Sequence, residues 1–300
     1  MATGPLARKS PQVLNPGRLL WALRIAWVVL PFTAGPALAD ALDLRSTPVR
    51  TTASVGLWAL WGVVVLALLL PRPTGLTLVR VVAPAAAAAT VIAAAAEEPA
   101  PLALGSTIVA AALAYAAETG WTFVNGAAYG DERRHLLRAP GVLLLGPLPL
   151  AWAALVAACV SGPLLLAARR WTLGAVLVAA GVPVAVVLAR ALHSLTQRWA
   201  VFVPAGLVLK DHLALLDPVL FRRQEVERLH PAPADSGALD LTVRAPGLAL
   251  ELRLREPVAM VVVVAGRRGG GPRRADALLF TPSRPGAVLA DAEARRLRVG

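Results

Sequence analysis

Six long apolar runs dominate the chain, near Leu19–Leu38, Ala53–Leu70, Leu76–Ala96, Pro101–Ala117, Val142–Ala168 and Trp171–Leu192. Each is long enough to cross about 30 Å of hydrocarbon as a helix. In lipid every backbone N–H and C=O must be paired inside the protein, which makes helices the form such runs take. Pro31, Pro84, Pro149 and Pro183 fall inside them; neighbouring helices are expected to take up the carbonyls that these prolines leave free. The alanine-rich stretch Ala85–Ala89 with Ala93–Ala96 offers a thin surface for close helix packing.

Charge marks the boundary of this membrane part. Residues 1–197 carry 14 Lys+Arg and 7 Asp+Glu, whereas the shorter 198–300 carries 16 and 11. The expected organisation is a tail over residues 1–18, six spans over 19–197 and a water-soluble domain over 198–300. Basic loops set the orientation. With the N-terminus inside, Arg8, Lys9, Arg18, Arg72, Arg133, Arg134, Arg138, Arg190 and Arg198 face the cytoplasm. Arg45, Arg50, Arg169, Arg170 and the acidic Glu97-Glu98 then face outward. Both termini are predicted cytoplasmic, with Arg169-Arg170 the discordant pair. Arg24 and Arg80 fall about one turn inside their spans and read as snorkelling anchors. Ala37-Leu38-Ala39 after a basic start imitates a signal-peptide cleavage site, although the run is long enough to span. Topology is the same for a cleaved or a retained segment.

The net charge of +12 does not point to nucleic acid, because many of the basic residues flank apolar runs and no zinc-finger or RNP-like pattern is present. Cys159 is the only cysteine, which excludes an intrachain disulfide. Away from their ends the spans hold Ser106, Thr107, Tyr115, Cys159 and Ser161 but no central Asp, Glu, His or Lys, which counts against an ion-coupled transporter. Ser106, Ser161 and His135 form no nucleophile–base spacing, and no enzyme activity is expected. The stretch Glu118–Gly141 reads as the longest inner loop, with a turn at Asn125-Gly126. Trp121 and Tyr129 suit the headgroup belt, and Asp131, Glu132, Arg133, Arg134 and His135 read as a solvated charge cluster. No second His or paired acid stands at ligand spacing, so neither metal nor cofactor is expected. If a loop meets a partner, this is the candidate.

From Trp199 the period shortens to two. Leu239, Leu241 and Val243, then Leu248, Leu250, Leu252 and Leu254, alternate with polar or small residues, predicting a hairpin through Ala245-Pro246-Gly247 with one buried face. Val258–Val264 reads as a strand buried on both faces. Val201–Val203 and Leu207–Lys210 flank a Pro204-Ala205-Gly206 turn, and Val219–Arg222 and Ala277–Phe280 complete about seven antiparallel strands. Pro285 suits a first helical position with Ser283 as cap, and Arg295, Arg296 and Arg298 follow at the favourable end. The glycine-rich Gly266–Arg274 reads as a mobile hairpin tip. Its Arg267, Arg268, Arg273 and Arg274 are candidates for anionic lipid headgroups, with Arg222 and Arg223 as a possible extension of that face.

The segments WAVFVPAGLVLKD (Trp199–Asp211) and DALLFTPSRPGAVLADAEARR (Asp276–Arg296) resemble bacterial pleckstrin-homology-like domains. The whole chain is similar to actinobacterial multi-pass membrane proteins that carry such a domain at the C-terminus. The resemblance implies a binding or scaffolding module. The expected fold is a helical transmembrane bundle followed by a mainly-β, PH-like domain. The expected function is a non-enzymatic membrane scaffold or regulator that meets membrane lipids or another membrane or cytoplasmic protein. A transporter or lipid-handling protein with an accessory domain is the alternative.

Overall fold

A computed structural model describes residues 16–96, 100–264 and 266–300, the side chains of residues 16, 96 and 268 excepted. Arg8, Lys9, Glu97 and Glu98, used in the orientation argument, lie outside the described residues. The helical part comprises α1 (Pro16–Thr33), α2 (Gly35–Asp43), α3 (Thr47–Leu69), α4 (Pro73–Ala96), α5 (Pro101–Tyr115), α6 (Ala117–Asn125), α7 (Gly141–Leu145), α8 (Pro147–Ala167) and α9 (Trp171–Leu195). Among the described residues five spans are long and apolar enough to cross a membrane: Gly17–Asp43, α3, Pro73–Ala95, α8 and α9. The sixth, α5 with α6, is bent by 56°. Alone, α5 has 15 residues and reaches only about 22 Å. Ala116 between them has φ −56° and ψ 139°, extended geometry that ends one helix and starts the next.

Two of the prolines explain how neighbouring helices lock together. Pro31 in α1 and Pro84 in α4 have no N–H to give the carbonyls four residues earlier, those of Trp27 and Arg80. The indole of Trp61 in α3 donates to Trp27 O at 3.0 Å, and Trp27 returns a bond to Trp61 O at 3.2 Å. The hydroxyl of Tyr115 in α5 donates to Arg80 O at 2.9 Å. Further polar ties are Thr90 to Thr107 at 3.0 Å, Trp152 Nε1 to Val81 O at 2.9 Å, and Thr77 to His193 Nδ1 at 2.8 Å. Arg24 reaches the end of α3 and donates twice to Leu68 O, at 3.0 and 2.8 Å, while Arg80 lies against Ala114 O at 3.5 Å. These two arginines are therefore bonded to carbonyls near the ends of neighbouring helices. Helices α8 and α9 approach closely on glycines: a Cβ at Gly181 would stand 2.7 Å from Ala158 O, and one at Gly174 2.8 Å from Leu166 N.

The rest of the fold is two four-stranded sheets and a C-terminal helix. Strands β1 (Arg133–Leu136), β2 (Trp199–Val203), β3 (Gly206–Lys210) and β4 (Val219–Arg222) form one antiparallel sheet in that order. Strands β5 (Val226–Pro231), β7 (Leu250–Val264), β8 (Arg267–Phe280) and β6 (Leu239–Asp240) form the other. Phe202, Leu207, Leu209 and Phe221 from the first sheet share one core with Leu229, Leu252, Leu278 and Phe280 from the second. Val288, Ala292 and Leu297 of α10 (Pro285–Ala294) and its exit close that core. Gly206 at the β2–β3 turn has no substitute, since a Cβ there would meet Phe221 O at 2.1 Å.

Several sequence expectations give way here. The stretch 118–141 is not a loop: α6 occupies its start, because Thr119, Gly120, Phe123 and Val124 make a buried helical face, and β1 pairs Arg133–Leu136 with β2. The hairpin through Ala245-Pro246-Gly247 does not form. Val243 and Arg244 take φ 52° and 56°, which turns the chain, and the two-residue β6 pairs parallel with β8. Val258–Val264 continues β7 and is covered on one face, with Met260 and Val262 buried and Val263 and Val264 exposed. Gly266–Arg274 is β-ribbon rather than a loose tip, with Met260 opposite Arg273 and Val262 opposite Gly271. Gly270 makes the bulge that keeps this pairing: its φ is 66°, and a Cβ would meet Val262 O at 2.5 Å. No Ser283 side-chain bond caps α10. Glu251, expected on the solvent face, is 1% exposed, because the segment after β5 folds over it. Ser236 Oγ donates to it at 2.7 Å and Arg253 Nη2 at 3.0 Å, with His230 Nε2 3.6 Å away.

Two expected outcomes follow from this packing. In detergent unfolding titrations Tyr115→Phe and Trp61→Phe each lower stability by about 0.5–1.5 kcal/mol, whereas Ser161→Ala, whose hydroxyl bonds Ala157 O in its own helix, leaves it unchanged within error. Glu251→Ala costs about 1–3 kcal/mol, since the polar groups gathered around the carboxylate lose their acceptor. An unaltered midpoint for Glu251→Ala contradicts this packing.

Candidate functional site

Three chain segments meet where the helices hand over to the sheets. Arg198, the residue before β2, is 1% exposed and bonds Asp211 through Nε–Oδ1 at 2.6 Å and Nη2–Oδ2 at 2.7 Å. Its Nη1 donates to Arg138 O at 2.7 Å, and Leu137 N donates back to Arg198 O at 3.0 Å. This two-point fork is the geometry in which guanidinium and carboxylate bind most strongly. The junction thus ties the exit of α9 to the segment between α6 and α7.

The residues singled out from Trp121 to Arg134 lie on α6 and on this inserted segment. Trp121 is half-buried in α6, with the Arg284 guanidinium 5.7 Å from its ring centre and Arg284 Nε 3.9 Å from Glu118. Tyr129 is 90% exposed. Glu132 accepts from Arg134 at 2.9 and 3.1 Å, and this bond from Arg134 is the main cause that holds its carboxyl below the usual range. Arg134 also stacks 4.8 Å over Trp199, and its backbone is bracketed by the Asn125 amide at 2.9 and 2.8 Å. His135, taken from sequence as part of a solvated cluster, is 1% exposed. Its Nε2 lies 2.8 Å from Asp291 Oδ2 of α10, its ring packs edge-on to Phe202, and its Nδ1 has no hydrogen-bond partner among the described residues.

Asp131, Arg133, Pro204, Arg223, Asp291, Ala294 and Arg295 line one polar cleft of about 430 Å³. Sequence reasoning named Asp131 and Arg133 but not their company. Arg295 read as a helix-end charge, and Arg223 as an extension of the basic face of Gly266–Arg274. The β1–β2 pairing and the contacts of β1 with α10 and its approach bring residues so far apart together. Among the described residues no group of three or more His, Cys, Asp or Glu is placed to hold a metal.

The second basic feature is the ribbon of β7 and β8. Arg267, Arg273 and Arg274 are exposed along β8, and Arg274 Nη2 lies 3.5 Å from Pro257 O across the ribbon. Arg268 belongs to the same strand, its side chain lying outside the described residues. The β7 edge is covered, since Leu216 N donates to Val261 O and Val263 N to Ala214 O, both at 2.9 Å. Over residues 267–276 no strand among the described residues pairs with the outer edge of β8. Exposed Leu216, Val263 and Val264 adjoin the ribbon's end.

Comparison with protein-family models, with curated proteins and with solved structures finds no match to this chain. The site therefore rests on its own geometry.

That geometry sets a pH dependence. The bond to His135, helped by the charges of Arg295 and Arg133 and opposed by burial, holds the Asp291 carboxyl below its usual range. A carboxyl depressed in the folded state contributes stability above its unfolded pKa and loses it as pH falls through the folded one. Asp291→Asn is therefore expected to be less stable than the parent at neutral pH by about 1 kcal/mol, the carboxyl being partly solvated. The gap should close below the ordinary carboxylate range. A pH-independent gap would assign the loss to packing.

Proposed function

We propose that the chain is a non-enzymatic scaffold or regulator of the bacterial plasma membrane, both termini cytoplasmic, whose PH-like β domain presents its basic ribbon to anionic lipid headgroups or to a partner segment. The observation that carries this reading is the ribbon itself. Three exposed arginines share a strand whose outer edge over residues 267–276 meets no strand among the described residues, beside exposed Val263, Val264 and Leu216. Each basic residue near an anionic leaflet contributes about 1 kcal/mol, and apolar side chains at the same end favour the headgroup region. The pairing with the segment after Asp211 supports a position close to the bilayer. Leu215 bridges to Val262, and Asp211 is bonded to Arg198, three residues after the end of α9. The PH-like reading draws its support from two packed sheets closed by a C-terminal helix.

The test uses the full chain in nanodiscs. Hydrogen exchange over residues 258–275 is expected to slow in anionic bilayers relative to zwitterionic ones, and to recover at high salt. Replacing Arg267, Arg268, Arg273 and Arg274 by serine should remove the difference. Equal exchange in both bilayers would leave the free β8 edge as the contact surface, recognised by an added strand. For orientation, reporters fused after Gly300 and at Glu97-Glu98 should give opposite readouts.

A further inference from the structure

The cleft beside α10 lies at the far end of β2 from the α9 junction, since Arg133 pairs with Phe202 whereas Leu136 pairs with Trp199. Four segments distant in sequence build it: the start of β1, the β2–β3 turn, the β4–β5 turn and the last turn of α10. Three guanidiniums line it, those of Arg133, Arg223 and Arg295. None of the three forms an ion pair among the described residues, although two aspartates line the same space.

Each guanidinium is instead held by a backbone carbonyl. Arg133 Nη1 donates to Glu132 O at 3.0 Å, Arg223 Nη2 to Pro204 O at 3.4 Å, and Arg295 Nη2 to Asp131 O. Arg295 is steadied further by the Phe202 ring, 5.9 Å from its centre. A guanidinium carries five N–H donors, so most of those on each fork remain unspent. Asp291 offsets part of this charge at longer range, but its Oδ2 is engaged by the buried His135 at 2.8 Å, and it forms no ion pair with any of the three. With Asp131 and Asp291 in the same lining, the cleft keeps an excess of one positive charge, which favours an anion. Forked donors from several sides match the acceptor oxygens of a phosphate group better than a flat carboxylate. The exposed Asp131 at the rim is placed to accept from a hydroxyl on the same ligand.

We propose that this cleft is a binding site for a phosphate-bearing anion of the phosphate or diphosphate ester class, gripped between β1 and α10. The site is separate from the ribbon. Because Arg133 belongs to the strand that leaves α6, and Arg295 to the closing helix, a bound anion clamps the inserted strand onto the core.

The test is calorimetric titration of the full chain in detergent at low salt with inorganic phosphate and with pyrophosphate. Saturable binding of one pyrophosphate per chain is expected. Arg223→Gln and Arg133→Gln should each weaken it by roughly tenfold or more, as loss of a charge-assisted contact does. Arg273→Gln in the ribbon should change it less than about twofold, as expected of a remote solvated charge. Arg223 is exposed, so its variant should unfold at the parent's temperature, which separates lost binding from lost fold. The same titration in nanodiscs identifies the source of the phosphate. If anionic lipid competes pyrophosphate away, the ligand is a headgroup; if it does not, the ligand is a free phosphate ester. No saturable binding by the parent, or parent-like binding by both Arg223→Gln and Arg133→Gln, overturns the proposal.

Discussion

The fork between Arg198 and Asp211 is the contact on which the arrangement of the two parts depends. Both side chains are almost fully buried, and neither charge has water to fall back on. Removing one partner of such a pair costs about 3–5 kcal/mol, chiefly because the other is left buried and alone. The pair does more than add stability. Arg198 sits where α9 becomes β2, Asp211 directly follows β3, and Arg138 O completes the guanidinium's bonds. The register of β1 on β2, and hence the place of everything on β1, follows from that three-way fit. Charge here specifies position, a role that an apolar contact of the same size could not fill, having no direction.

Within the helices the same logic operates through the backbone. A proline that withholds its N–H creates a carbonyl with no partner in a solvent that supplies none. Trp61 and Tyr115 answer Trp27 O and Arg80 O from adjacent helices, so each proline becomes an address for a neighbour. Arg24 similarly finds its acceptor at the end of α3. The helices are thereby matched by unique polar contacts, although their surfaces are largely interchangeable aliphatics.

The features legible in the sequence were those set by local pattern. Four of the spans, the β2–β3 hairpin around Pro204-Ala205-Gly206, β4 and the helix beginning at Pro285 appear where periodicity and turn chemistry put them, whereas the run at Pro101–Ala117 bends into α6 and that at Val142–Ala168 breaks at Gly146. What escaped was set by distant partners. Arg133-Arg134-His135-Leu136 has two arginines and a histidine in four positions, which reads as surface charge until β2 is placed beside it. His135 is buried because Phe202 and Asp291 cover it, and neither is near in sequence. Glu251 occupies the outward phase of an alternating strand, yet Ser236 and His230 close over it. Leu239–Val243 has the alternation of a strand, but Val243 and Arg244 turn the chain before a hairpin can form. The cleft was illegible for the same reason: its arginines are spaced over more than 160 residues.

The position of β1 has a consequence for biosynthesis. The ribosome delivers Arg133–Leu136 before α8 and α9, and its partner Trp199–Val203 only after them. Until the last helical hairpin has entered the bilayer and returned on the same side, β1 has no strand to pair with and His135 no aspartate. Closure of the β domain therefore reports that the final two spans are correctly inserted. A chain whose last hairpin failed to insert would keep a bare strand edge and an open core, the features by which quality-control proteases know an unfinished protein.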